Sequence, residues 1–377
     1  MFVAWRDLRH ARGRFVLIAA VVALITLLVG FLAGLTGGLA SQNVSAVLGL
    51  PGSKLVLQAP SDGTASFSES AISPRTVAVW QDADGTDDVV PIGIVQGRAH
   101  GVVTGSGASG SPVGVALFGV PDDAARSDDA ARPDDAARST VSDLAPTSDA
   151  EVGLSAGAAD DLGVTTGDRI TITGTTYRVA SIGGDAWFSH TPVVAMTPTA
   201  WAAADHRLGG DGDVTVLAVS GQPDWDAVAD ATDTSAASPL LSLGALETFK
   251  SEVGSLALMI AMLFGVSALV VGAFFTVWTM QRSGDVAVLK ALGASTGSLV
   301  RDALGQALVV LVVGIGVGML AVVGLGALAG GALPFLLSPL TTLVPALAMA
   351  VLGLAGAAVA LRTVTAADPL TALGSNR

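Results

Sequence analysis

Four stretches of the chain carry no charged side chain: residues 15–35, 253–280, 303–328 and 340–361. Each has the ~20 residues that an α-helix rising 1.5 Å per residue needs to cross a bilayer. A segment in lipid must satisfy its backbone groups internally, so the pattern predicts four membrane-spanning helices. The first run is too long for a signal-peptide core and lacks an A-x-A cleavage site, so it reads as a retained span.

Between the first and second runs the pattern changes to short apolar stretches broken by Gly, Asp, Pro and Thr. Residues 54–58, 89–95, 113–119, 169–174, 177–182, 192–196 and 214–220 read as strands. Residues 156–162, 198–204 and 225–231 read as helices, with Thr197-Pro198 as N-cap and first-turn proline. The expected fold class is a membrane protein with four transmembrane α-helices and a large extracytoplasmic α+β domain between helices 1 and 2. Within that domain the unit [PS]-D-D-A-A-R runs three times from Pro121 to Arg138. It has no β-branched or aromatic residue and nothing to bury, so residues 121–139 read as a solvated loop.

Two amphipathic pieces flank the spans. In residues 1–14, Phe2, Val3, Trp5 and Leu8 are set against Arg6, Arg9, Arg12 and Arg14, which suits the inner membrane interface. Between the second and third runs, Val286, Leu289, Leu292 and Leu299 recur at roughly helical spacing. Arg282, Asp285, Lys290 and Arg301 fall elsewhere, Gly293 breaks the pattern, and Ser295 can cap a following helix. This predicts a short helix along the membrane surface, a turn, and a helix entering the bilayer.

Composition sharpens the picture. The chain has 377 residues with a net charge of −13 and a mean hydropathy of +0.64. Of its 19 basic residues, nine lie with four acids in residues 1–14, 281–302 and 362–377; the other ten lie with 28 acids in residues 36–252. The positive-inside rule then puts both termini in the cytoplasm and the acidic segment outside. So acidic an exterior argues against nucleic acid as a partner. The absence of cysteine excludes disulfides and thiol chemistry. Richness in Ala, Gly, Val and Asp suits a GC-rich genome, as of an actinobacterium.

No enzyme constellation is evident. His100, His190 and His206 are isolated, without metal-ligand spacing. There is no G-x-x-x-x-G-K-[ST] phosphate loop with which to hydrolyse ATP. At the mouth of the second run, Phe249, Glu252, Leu256, Met259 and Leu263 share one helical face. Glu252 has two readings there, an interfacial acid favoured by the helix dipole or a ligand. Gly30, Gly34 and Gly38, four apart, form a close-packing strip that reads as a helix-dimerisation face or, more sharply, as the lining of a seam between two permease copies.

The wording V-x-x-L-K-A-L-G-A-S at 286–295 resembles the cytoplasmic segment of FtsX-like (MacB-like) permeases, the membrane subunits of one class of ABC transporter. The D-P-L-x-A-L ending at 368–373 and the L-G-V-x-x-G-D turn at 162–168 resemble the same family. Phe31 to Ala40 and the T-F-K-S-E-V entry to the second span resemble its haem-efflux branch (HrtB-like, related to DevC-type permeases).

The resemblance implies a division into an interfacial helix 1–14, span 15–38, exterior domain 39–248, span 249–280, coupling helix 281–302, span 303–330, turn 331–339, span 340–362 and tail 363–377. It implies that Val286, Leu289, Lys290, Leu292 and Gly293 dock on a separate ATPase that binds ATP and Mg in two copies. The permease itself would be a homodimer in the cell membrane, not an enzyme and without a cofactor of its own, extracting haem and exporting it. Glu252 would ligate the haem iron, with Phe249, Leu256, Met259, Phe31 and Glu247 as further contacts. The lone Tyr177 lies deep in the exterior domain, the histidines lie far from the spans or on the wrong side, and Met is a softer ligand. The alternatives are another amphipathic cargo (a glycolipid, lipoprotein or antimicrobial peptide), or an FtsX-type permease that signals to a cell-wall hydrolase without transporting.

Overall fold

The computed structural model describes residues 12–59, 64–102, 110–121, 141–281, 295–329 and 333–365. The chain divides into two compact units, one of residues Met1–Gly38 and Gly254–Arg377, the other Leu39–Val253.

The first unit is helical. Its elements are α1 (Arg12–Leu48), α7 (Glu247–Gln281), α8 (Thr296–Ala329) and α9 (Pro339–Thr365); α1 and α7 run on into the second unit. Each holds a stretch long and apolar enough to cross a membrane: Phe15–Leu48, Glu247–Phe274, Ala303–Ala329 and Pro339–Val359. Phe15, Ile18, Val22 and Val29 of α1 pack with Val310, Leu311 and Ile315 of α8, Val271 of α7 and Met349 of α9. Glycines set how closely these helices approach. A Cβ on Gly318 would stand 2.6 Å from the Ala23 carbonyl oxygen, so α8 rests directly on the α1 backbone.

The Gly30, Gly34 and Gly38 strip faces the chain's own residues. Gly30 abuts Val322 and Met319, Gly34 meets the Phe335 ring, and Gly38 meets the Pro334 carbonyl. These neighbours fill the strip, which corrects the expectation that it lines a seam between two copies.

The second unit is a mixed α/β body. Its strands are β1 (Lys54–Gln58), β2 (Thr86–Val102), β3 (Val113–Gly119), β4 (Glu151–Leu154), β5 (Arg169–Ile172), β6 (Thr175–Ile182), β7 (Trp187–Phe188), β8 (Thr191–Met196), β9 (Val216–Gly221) and β10 (Thr234–Ala237). The short helices are α2 (Pro74–Gln81), α3 (Ala156–Leu162), α4 (Pro198–Leu208), α5 (Trp225–Ala231) and α6 (Pro239–Ser242). The strand order is β10-β1-β9-β2-β3-β8-β4-β6-β5, and β5 pairs again with β2. Strands β2, β3, β8, β4, β6 and β5 therefore close a ring, while β9, β1 and β10 extend from the other end of β2. The 17-residue β2 serves both parts, pairing with β9 over Thr86–Ile92 and with β5 over Ala99–Val102.

Alternate side chains enter different cores, as the period of two requires. In β3, Ala116 and Phe118 join one cluster and Val115 and Leu117 another; in β9, Val216 and Ala218 face one side and Leu217 and Val219 the other. Burial on both faces explains why these strands read as unbroken apolar runs. The 162–168 turn is structural: Gly163 (φ 64°) caps α3, Gly167 has φ 96°, and the Asp168 carboxylate accepts from the Thr165 N–H and hydroxyl at 2.8 Å.

Candidate functional site

Three segments of the second unit meet at Glu252. The first is the tail of α1, which stays helical past the apolar run to Leu48 because Val44, Ala46 and Val47 bury in the core there. The second is the β7–β8 hairpin, whose two-residue turn is Ser189-His190, with φ 47° and 63°. A turn with both central residues left-handed matches the twist of a tight hairpin, but Asn-Gly is the usual choice, so Ser-His carries strain. The strain is held by contacts: the Ser189 N–H donates to the Asn43 carbonyl and the His190 N–H to the Gln42 carbonyl, both at 3.0 Å. The third segment is the start of α7, anchored by buried Leu243 and Leu246.

At the junction His190 Nε2 lies 2.9 and 3.0 Å from the two Glu252 carboxylate oxygens. Asn43 Nδ2 donates to Oε2 at 3.3 Å, and Thr248 Oγ1 donates to Asn43 Oδ1 at 3.0 Å. Glu252 remains 40% exposed at its side chain and His190 31%, so the carboxylate is oriented yet reachable. An oriented, accessible carboxylate is a competent oxygen ligand, and the imidazole fixes its direction as an outer-shell partner does in a metal site. Among the described residues no three His, Cys, Asp or Glu side chains sit together as a metal site.

This corrects the view of His190 as isolated and remote from the spans. It lies 62 positions from Glu252 in sequence and touches it. The other two described histidines do stand apart, His100 Nδ1 by the Gly110 carbonyl and His206 Nδ1 by the Gly210 carbonyl.

The remaining expected contacts divide. Phe249 is half-buried against the core of the second unit, so its ring supports the junction and does not line an open face. Leu256 is half-buried, Met259 is 53% exposed, and Glu247 is exposed. Phe31 belongs to the helical unit, where its ring lies 5.0 Å from that of Phe335. The coupling residues Val286, Leu289, Lys290, Leu292 and Gly293 lie outside the described residues, as do residues 1–11, the repeat after Pro121 and the 368–373 ending.

Comparison with known proteins bears on these features. The family model for the FtsX-like permease C-terminal domain matches residues 257–369. The chain is 22% identical over 380 residues to a hemin transport system permease protein, HrtB, of Staphylococcus haemolyticus, covering 99% of each. It is 28% identical over 246 residues to an uncharacterised ABC transporter permease of Mycobacterium tuberculosis, covering 61% of this chain and 63% of that one. Among solved structures it is similar to the periplasmic region of MacB from Actinobacillus actinomycetemcomitans, at 10% identity and a TM-score of 0.33, over 52% of this chain and 92% of that one. The three helices that follow the mixed unit thus fall largely within the stretch, residues 257–369, that matches the FtsX-like permease C-terminal domain.

Proposed function

We propose that this chain is the permease subunit of an ABC-type efflux pump that takes haem from the membrane and releases it outward. The observation that carries the reading is the end-to-end similarity to the hemin transport permease, 99% of both chains. Two permease copies and two copies of a separate ATPase would form the machine. The distribution of basic residues supports cytoplasmic termini and an exterior mixed unit. Because the chain has no cysteine, a single Asp161→Cys reports that side directly: an impermeant maleimide should label it on intact cells, and labelling only after lysis would reverse the orientation.

In this reading Glu252 offers the haem iron one carboxylate oxygen while the other keeps the His190 hydrogen bond. Leu256 and Met259 continue the same helical face. Haem titration of the purified permease–ATPase complex tests it. Wild type should shift the Soret band, and Glu252→Ala should lose that shift and the cell's tolerance to haem while the ATPase still co-purifies. An unchanged spectrum and affinity in Glu252→Ala would remove Glu252 as the ligand, and absence of any haem binding by wild type would remove haem as the cargo.

A further inference from the structure

The mixed unit contains a cavity of about 510 Å³ that meets the haem reading only at Glu247, one of its lining residues. This is within the roughly 300–1,000 Å³ range of small-molecule sites. Phe67, Phe188 and Trp201 line it on the apolar side, and Phe188 stacks edge-on against Phe67 at 6.0 Å and Phe118 at 5.7 Å. Trp201 is 2% exposed, and its Nε1–H has no hydrogen-bond partner.

The polar side of the cavity is uniform in sign. Glu69, Asp205, Asp211, Asp213 and Glu247 line it, and among the described residues no Lys, Arg or His does. Asp205 has a structural task, its Oδ2 accepting from the Gly212 N–H at 2.9 Å. The carboxylates are too dispersed to hold one metal ion: the described residues contain no cluster of three such ligands. Haem does not fit either, because its propionates would meet like charge. Dispersed carboxylates beside an apolar wall match a cation whose charge is spread over a large apolar body, which gains both ionic attraction and apolar contact.

We infer that this cavity is a binding site for a bulky organic cation with an aromatic or otherwise apolar body. The site stands independently of the haem reading. It is bounded by Ala245 to Thr248, the residues that open α7, so an occupant would touch the start of the helix that continues as the second apolar span.

The experiment uses full-length permease in zwitterionic lipid nanodiscs and two ions of nearly the same shape and opposite charge, tetraphenylphosphonium and tetraphenylborate. Equilibrium dialysis is read against empty nanodiscs. The phosphonium should bind saturably near one per chain, and the borate should show no saturable component. The triple variant Glu69→Gln, Asp211→Asn, Asp213→Asn should weaken phosphonium binding roughly tenfold, which corresponds to about 1.4 kcal/mol, with an unchanged circular dichroism spectrum. Saturable binding of both ions alike, of neither, or of the phosphonium without loss in the folded triple variant would overturn the inference. The first two outcomes are read on wild type and do not depend on the variant folding. Haem titration of the same nanodiscs keeps failure of this site apart from failure of the proposed function.

Discussion

Val317 at the middle of α8 is 55% exposed and Leu320 is 75% exposed, whereas Leu117, Phe118, Val193 and Val194 in β3 and β8 are sealed at 0%. Both regions are rich in Val and Leu, but the helical unit turns them outward and keeps glycine at the helix contacts, while the mixed unit turns them inward. The difference follows from the surroundings. Lipid tails are as apolar as leucine, so burying a leucine between helices gains little and close backbone approach decides packing. In water the same burial is worth about 1.5–3 kcal/mol per side chain and dominates.

The largest effect should come from emptying the inward-facing side of that comparison. Phe118→Ala removes a ring at 0% exposure that joins β3 to Phe188 and should cost about 3–5 kcal/mol. Thermal unfolding of the mixed unit, followed by near-ultraviolet circular dichroism, checks it. A loss under about 1 kcal/mol would mean that the sheet core is less tightly packed than described. Next comes the outward-facing side. Val317→Arg should cost about 2.5–3.5 kcal/mol in membrane insertion, while Val79→Arg on α2, where the native side chain is 46% exposed, should fall within about 0.5 kcal/mol. Equal expression of both variants in the membrane fraction would erase the contrast between the units. The smallest effect tests close approach: Gly318→Val puts a branched side chain against Ala23 and Thr26 of α1 and should cost about 1–3 kcal/mol. Gly316→Val, where an added Cβ meets nothing within 4 Å, is the control. Matching melting temperatures for the two would show that the α1–α8 contact is looser than drawn.

The helical unit was legible because uncharged runs of that length have one outcome in lipid, and the both-faced strands because their apolar runs are bounded by Gly, Pro and Asp. The α2 helix was missed because its single buried residue, Trp80, sets no period. Strand β10 (Thr-Ser-Ala-Ala) was missed because an edge strand of small residues needs no apolar pattern. Helix α1 reaches 13 residues past its apolar run, which was not legible because Thr36 to Asn43, Leu39 apart, are polar or small, and what holds that tail is tertiary packing. At the site, the position of Glu252 could be read from the start of the apolar helix. Its partner His190 could not, because the Ser-His turn lacks the Asn-Gly signature and Asn43, His190 and Glu252 converge only once the sheet is paired.

That same turn has a mechanical consequence. Its two backbone N–H groups grip the Gln42 and Asn43 carbonyls of α1, and its two side chains reach Thr248 and Glu252 of α7. Apolar surfaces slide past one another at little cost, but directional bonds resist shear. The tail of α1 and the head of α7 are therefore tied by directional bonds through two residues, Ser189 and His190, and sliding one past the other would have to break them.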